Sequence, residues 1–185
     1  MFSPIGELFH VSNFEEINAE LGALTAGADR ARGLTAAAGN QAQEVGVRAA
    51  GAGFAAVAVG MVRVRDAIAE IQAGLGRLST SVGEAAQAAA AVPRQGTPQE
   101  TVAGLAPVRS ALDSARDAGT GVIGQVGEAQ QLVTAVLHGG EPGPLLQALE
   151  GAKQVVVLIV QRTGSTRQVI EAAAAEARRL GSSGN

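Results

Sequence analysis

The chain has 185 residues, 46% of them apolar but only 2% aromatic, with no cysteine and a formal net charge of −3. Without cysteine there are no disulfides, thiolate metal sites or cysteine nucleophiles. The arginines and the single lysine are scattered among acids, so no concentrated positive footprint for nucleic acid is expected. Alanine inflates the apolar fraction, and the shortage of aromatics argues for an all-α fold over a large β-sheet core.

The opening, MFSPIGELFHVSNFEE, has neither a basic stretch nor a sustained apolar run, so no secretory signal is expected. Residues 1–12 read as an N-terminal tail. Ser12-x-x-Glu15 and Asn13-x-x-Glu16 both fit a capping box, which predicts a first helix opening at Ser12 or Asn13. Apolar or small residues then alternate at three and four residues: Phe14, Ile17, Leu21, Leu24, Ala28, Ala31, Thr35, Ala38, Ala42, Val45 and Ala49.

Continued past this point, the same seam would bury Arg63 and Asp66. A new seam instead starts out of phase at Phe54 and runs through Val57, Met61, Val64, Ile68, Ile71, Leu75, Leu78, Val82, Ala85, Ala89 and Val92. The break coincides with Gly51-Ala52-Gly53, where glycine can take a positive φ without a Cβ clash. The prediction is a first antiparallel hairpin over 13–92 with its turn near 50–53. Folded there, Ala42 faces Met61, Ala31 faces Ile71 and Ala28 faces Leu75, small opposite large, as dense packing requires.

Pro93 stops the second helix, and 93–97 reads as a linker. Thr97-Pro98-Gln99-Glu100 combines a cap, a first-turn proline and an acid at the third helical position. The third seam is Leu105, Val108, Leu112, Ala115, Gly119, Val122, Val126, Ala129, Val133 and Val136, with an end expected at His138 and Gly139. A turn at 139–143 leads to the fourth: Leu145, Leu149, Ala152, Val156, Ile159, Thr163, Thr166, Ile170, Ala173, Ala177 and Leu180. Gly181 is its expected stop, with 182–185 a tail, so 98–181 forms a second hairpin. Pairing sets Val122 against Ile159 and Leu112 against Ile170. Gly119 opposite Thr163 and Ala115 opposite Thr166 make a thin, partly polar layer, expected to be a weak point. Four helices of about 37 residues, each about 55 Å long, pack best as a four-helix bundle with coiled-coil-like seams; two hairpins end to end is the alternative.

Chemistry-bearing motifs are sparse. Gly119-Thr120-Gly121-Val122-Ile123-Gly124 matches a dinucleotide fingerprint, but a helical repeat precedes it where a strand is needed. His138 with Glu141 nearby suggests at most half a metal or acid–base site. The carboxylates read as solvated faces, with Glu44–Arg48, Asp113–Arg116 and Glu176–Arg179 at pairing distance along a helix. No catalytic, cofactor-binding or metal-binding residue is expected.

The most unusual segment is Val155-Val156-Val157-Leu158-Ile159-Val160, where apolar residues wrap beyond one seam. Val157 and Val160 should face away from it. Val155, Val157, Leu158 and Val160 are therefore candidate partner-binding residues, for a protein partner or for self-association through the fourth helix. The most apolar windows, 49–62 and 155–160, fall short of the roughly 20 residues that span a bilayer, so no integral membrane segment is expected.

The segments GFAAVAVGMVRVRDAIAEIQAGLG (53–76), AVPRQGTPQETVAGLAPVRSALD (91–113) and TAVLHGGEPGPLLQALE (134–150) resemble an uncharacterised family of alanine-rich actinobacterial proteins. That resemblance implies no activity, cofactor or site. More distantly, the first hairpin is similar in length and shape to the WXG100 (ESAT-6-like) helical hairpins. Their Trp-x-Gly turn and tyrosine-plus-acid export signal have no counterpart here, since tryptophan and tyrosine are absent. The expected function is that of a non-enzymatic helical adaptor, scaffold or chaperone-like partner in the cytoplasm. A leaderless secreted hairpin and a phasin-like amphipathic coat of a lipid or polymer surface are the alternatives.

Overall fold

The computed structural model describes residues 4–93, 96–138, 140 and 143–182, with side chains from residue 14 onward. Within them lie four α-helices and no strand: α1 (Pro4–Gly51), α2 (Ala55–Ala91), α3 (Pro98–Val136) and α4 (Gly143–Ser182). Each packs against its neighbours in sequence, α4 closes back on α1, and among the described residues the diagonal helix pairs make no close backbone approach. The result is a square, up-down-up-down four-helix bundle rather than two hairpins end to end.

The seams account for the core. Ile17, Leu21 and Leu24 of α1, Met61, Ile68, Ile71, Leu75 and Leu78 of α2, Leu105 and Leu112 of α3, and Leu149 and Ile170 of α4 are its largest fully buried side chains. Between its large ends α1 contributes only small residues, Ala28, Ala31, Thr35, Ala38 and Ala42, all buried. These leave room for the bulky seam of α2.

Two seam residues depart from expectation. Phe54 is 64% exposed and Leu180 is 43% exposed. Phe54 is the residue preceding α2, with φ −82° and ψ 64°, so it is not in helical phase with the seam that follows. Leu180 sits in the last turn of α4.

The α1–α2 turn is a Schellman motif. The Phe54 N–H donates to the Ala49 carbonyl at 2.8 Å, the Gly53 N–H donates to the Ala50 carbonyl at 3.1 Å, and Gly53 has φ +82°. A side chain at that φ would be strained, which is why glycine stands there.

Helix boundaries move more than seams do. α1 begins at Pro4, so Ser12 and Asn13 lie inside it and neither caps it. A proline is well placed in a first turn, where its missing N–H costs nothing, and no further proline follows before Gly51. α3 opens as expected: the Thr97 hydroxyl accepts from the Glu100 N–H at 3.2 Å, and the Thr97 N–H donates to Glu100 Oε2 at 2.7 Å. Those bonds, the backbone one first, hold the Glu100 carboxyl below the usual carboxylate range. α3 ends at Val136, two residues before His138. α4 starts one residue before Pro144 and runs through Gly181. Arg94, Gln95, Gly139, Glu141 and Pro142, on which parts of the linker and turn assignments fell, lie outside the described residues, as do residues 1–3 and 183–185.

Glycines set how closely the helices approach. A Cβ placed on Gly60 would lie 2.5 and 2.7 Å from the two methyls of Val136, and one on Gly74 would lie 2.7 Å from a Val122 methyl. Gly60 and Gly74 are two heptads apart, so each lets a valine of α3 sit directly on the backbone of α2. The layer expected to be thin is filled in the same way. Val160 covers Gly119, whose Cβ would lie 2.7 Å from a Val160 methyl. Thr163 and Thr166 are buried, and their hydroxyls donate to the Ile159 and Arg162 carbonyls at 2.7 and 2.9 Å.

Candidate functional site: the groove between α1 and α4

The apolar run of α4 divides three ways. Val156 and Ile159 are buried in the core. Val160 lies off the seam and packs onto Gly119 of α3. The half-buried Val157 lies in helical phase with it, one turn earlier. Val155 and Leu158 fall on the opposite flank, beside α1. The run is long because α4 packs both flanks against neighbours, and Leu158, 63% exposed, is the part left over.

Val155 and Leu158 line a groove of about 750 Å³ between α1 and α4. Its α1 side is lined by the small residues Ala23, Ala26 and Gly27 around the buried Leu24. A Cβ on Gly27 would come 3.0 Å from Ile159 Cγ1, so this glycine keeps the two helices close beneath the groove. Glu16 borders one end and Arg30 the other. Arg162 Nε bonds Glu20 Oε2 at 3.0 Å across the middle. An apolar trough with small residues and charged edges suits an amphipathic helix laid along it.

A second exposed apolar region lies at the α1–α2 turn, where Phe54, Val59, Val62 and Val47 are all more than half exposed. Gly51, Ala52, Gly53, Ala55 and Ala56 are exposed with them, and residues 49–62 carry no ionisable side chain. Sequence reading noted the apolar window but placed Phe54 in the core; its exposure follows from the turn geometry.

The other polar features singled out in the sequence lie at separate places in the bundle. His138 is exposed past the end of α3, and Glu141 lies outside the described residues. Gly119, Gly121 and Gly124 are mid-helix, with no loop to cradle a phosphate. Asp113 bonds Arg167 across α3 and α4 at 2.7 Å in place of the expected Arg116, because the antiparallel register sets it level with α4; Arg167 also holds Glu171 at 3.0 Å. Glu176–Arg179 pairs along its helix. Gln130 and Gln154 donate to Glu150 and keep its carboxyl below the usual range. Among the described residues no group of three His, Asp or Glu side chains could hold a metal ion. Among the described residues, three buried side-chain oxygens show no hydrogen-bond partner, Gln41 Oε1, Ser79 Oγ and Gln125 Oε1, on three different helices.

α4 is long and apolar enough to cross a membrane by length and composition alone, a test that core helices of soluble proteins also pass. No curated protein matches the chain. Over residues 96–182, from the cap of α3 to the end of α4, it is similar to a family of unknown function, DUF6244.

Proposed function

We propose that the protein is a helical interaction module that binds an amphipathic helix in the groove between α1 and α4. The observation that carries this reading is Leu158, a large apolar side chain held in the open beside Val155, Ala23 and Gly27 in the groove between α1 and α4. Of the candidate residues, Val155 and Leu158 take the partner, while Val160 belongs to the bundle and Val157 to the α3 flank. No reaction is assigned to the site. Reading α4 as a bundle helix is supported by its core stripe of Leu145, Leu149, Ala152, Val156 and Ile159, all buried.

A photo-crosslinking residue at Ala26 tests the reading. Adducts should form on an amphipathic helical segment and disappear with Leu158→Asp, which leaves the fold intact because the side chain is exposed. Adducts unchanged by Leu158→Asp would refute the groove as the binding face.

One observation favours a second reading, that of a coat on a neutral lipid or polymer surface. The turn end of the first hairpin is exposed, apolar and uncharged around Phe54 and Val59. Flotation with neutral vesicles that Phe54→Ser abolishes would support it; protein remaining in solution would remove it.

A further inference from the structure

The edges of the α1–α4 groove are charged in a self-complementary order. Glu16 lies at one end and Arg30 at the other, both exposed, and no ion pair involving either is seen among the described residues. They are two heptads apart on α1, about 21 Å at 1.5 Å per residue. Midway between them sits Ala23, and the small residues Ala26 and Gly27 adjoin it.

We infer that the helical partner is a second copy of this chain, docked groove to groove about a two-fold axis perpendicular to the helices near Ala23. The inference rests on the reading of the groove as a helix-docking site. Under that rotation α1 lies antiparallel on the partner copy's α1. Each Glu16 then meets an Arg30, and the symmetry makes this contact twice per dimer. The antiparallel arrangement is the one that stacks α1 on α1 and brings Glu16 to Arg30.

The middle of the face suits close approach. Ala23 on the axis lets the two α1 backbones come together, with Ala26 and Gly27 beside it. On α4, Leu158 comes level with the region of Ser165 and Val169 in the other copy, both of which line the same groove. The one cation near the axis, Arg162, is already held by Glu20 at 3.0 Å, so bringing two copies of it together does not juxtapose bare charges. The contact is about 21 Å long and two helices wide, small beside permanent dimers, so a weak, reversible dimer is expected.

The test is sedimentation equilibrium over a range of protein concentration, with circular dichroism to confirm that each variant remains folded. The wild-type chain should dimerise, and less so at high salt. Glu16→Arg alone and Arg30→Glu alone should each weaken the dimer by roughly tenfold, since each places like charges together twice. The Glu16→Arg/Arg30→Glu double variant should restore it, which a merely structural role for either residue would not produce. Leu158→Asp should leave a monomer. A wild-type chain that stays monomeric overturns the dimer; if Ala26 adducts to a different protein still depend on Leu158, the groove reading stands without it. A dimer indifferent to all four variants lies on another face and also overturns the inference. Monomer and no Leu158-dependent adduct would reject both.

Discussion

Gly60→Ala should destabilise the protein even though alanine is the better helix former. In a helix interior, replacing glycine by alanine ordinarily gains about 1 kcal/mol. At Gly60 the new methyl would lie 2.5 and 2.7 Å from Val136 Cγ1 and Cγ2 and 3.2 Å from Val136 Cβ. A valine cannot swing its methyls aside by a long side chain, because they are one bond from the Cβ and χ1 is restricted. Either the rotamer strains or α2 and α3 separate, and such overpacking costs about 1–3 kcal/mol. The net expectation is a loss of up to about 2 kcal/mol. Gly33 and Gly121 are the controls: both are mid-helix and exposed, with nothing near the position of a Cβ. Alanine there should stabilise by about 1 kcal/mol, raising the melting temperature by about 2–4 °C for a chain of this size. Thermal and urea unfolding of the three variants, with Val136→Ala and the Gly60→Ala/Val136→Ala double variant, completes a mutant cycle. The double variant should be more stable than the sum of the single changes predicts. If Gly60→Ala raised the melting temperature as Gly33→Ala does, the close approach of α2 and α3 at this glycine would be refuted.

Met61→Asp should cost several kcal/mol, because Met61 is buried among apolar neighbours and a carboxylate there would be unpaired; an unchanged urea midpoint would overturn the seam assignment. Thr163→Val should be tolerated, within about 1 kcal/mol of wild type, since the hydroxyl bonds only the Ile159 carbonyl of its own helix. Native-state hydrogen exchange at residues 160–166 should be as slow as around Ile71, given that Val160 fills the space over Gly119; fast exchange confined to that layer would show it to be weak after all. The Glu100 carboxyl, held below its unfolded value by the Thr97 N–H and hydroxyl, stabilises α3 above the ordinary carboxylate range. That contribution is lost as pH falls through the depressed folded value. In an NMR titration Thr97→Ala should move the Glu100 midpoint back up, and an unmoved midpoint would show the cap to be unimportant.

The sequence by itself determined the helix count, the core face of each helix and the turn that folds the first pair. A 3-4 alternation sustained for more than thirty residues admits one kind of element, and a phase break at Gly51-Ala52-Gly53 admits a reversal there. The capping box of α3 was legible for the same reason, since it is made by residues three apart. Tertiary structure decided what such local rules cannot reach. The early start of α1 was hidden because Ser12 and Asn13 carry a cap signature that nothing in the local sequence contradicts. The exposure of Phe54 follows from its place in the turn, and Asp113 left Arg116 for Arg167 because the α3–α4 register brought a better-placed guanidinium.

The candidate site shows the same division. Six consecutive apolar residues in α4 announced surplus surface, yet helical phase gives no account of which flank a neighbour will cover. Only closure of α4 onto α1 and α3 together shows that Val160 is used on Gly119 and that Leu158 remains exposed. Glu16, Arg30, Ala23 and Gly27 are far from Leu158 in the chain and were not singled out as site residues. Their meeting depends on α1 lying beside α4, a contact between the first and last helices that no spacing within either one encodes.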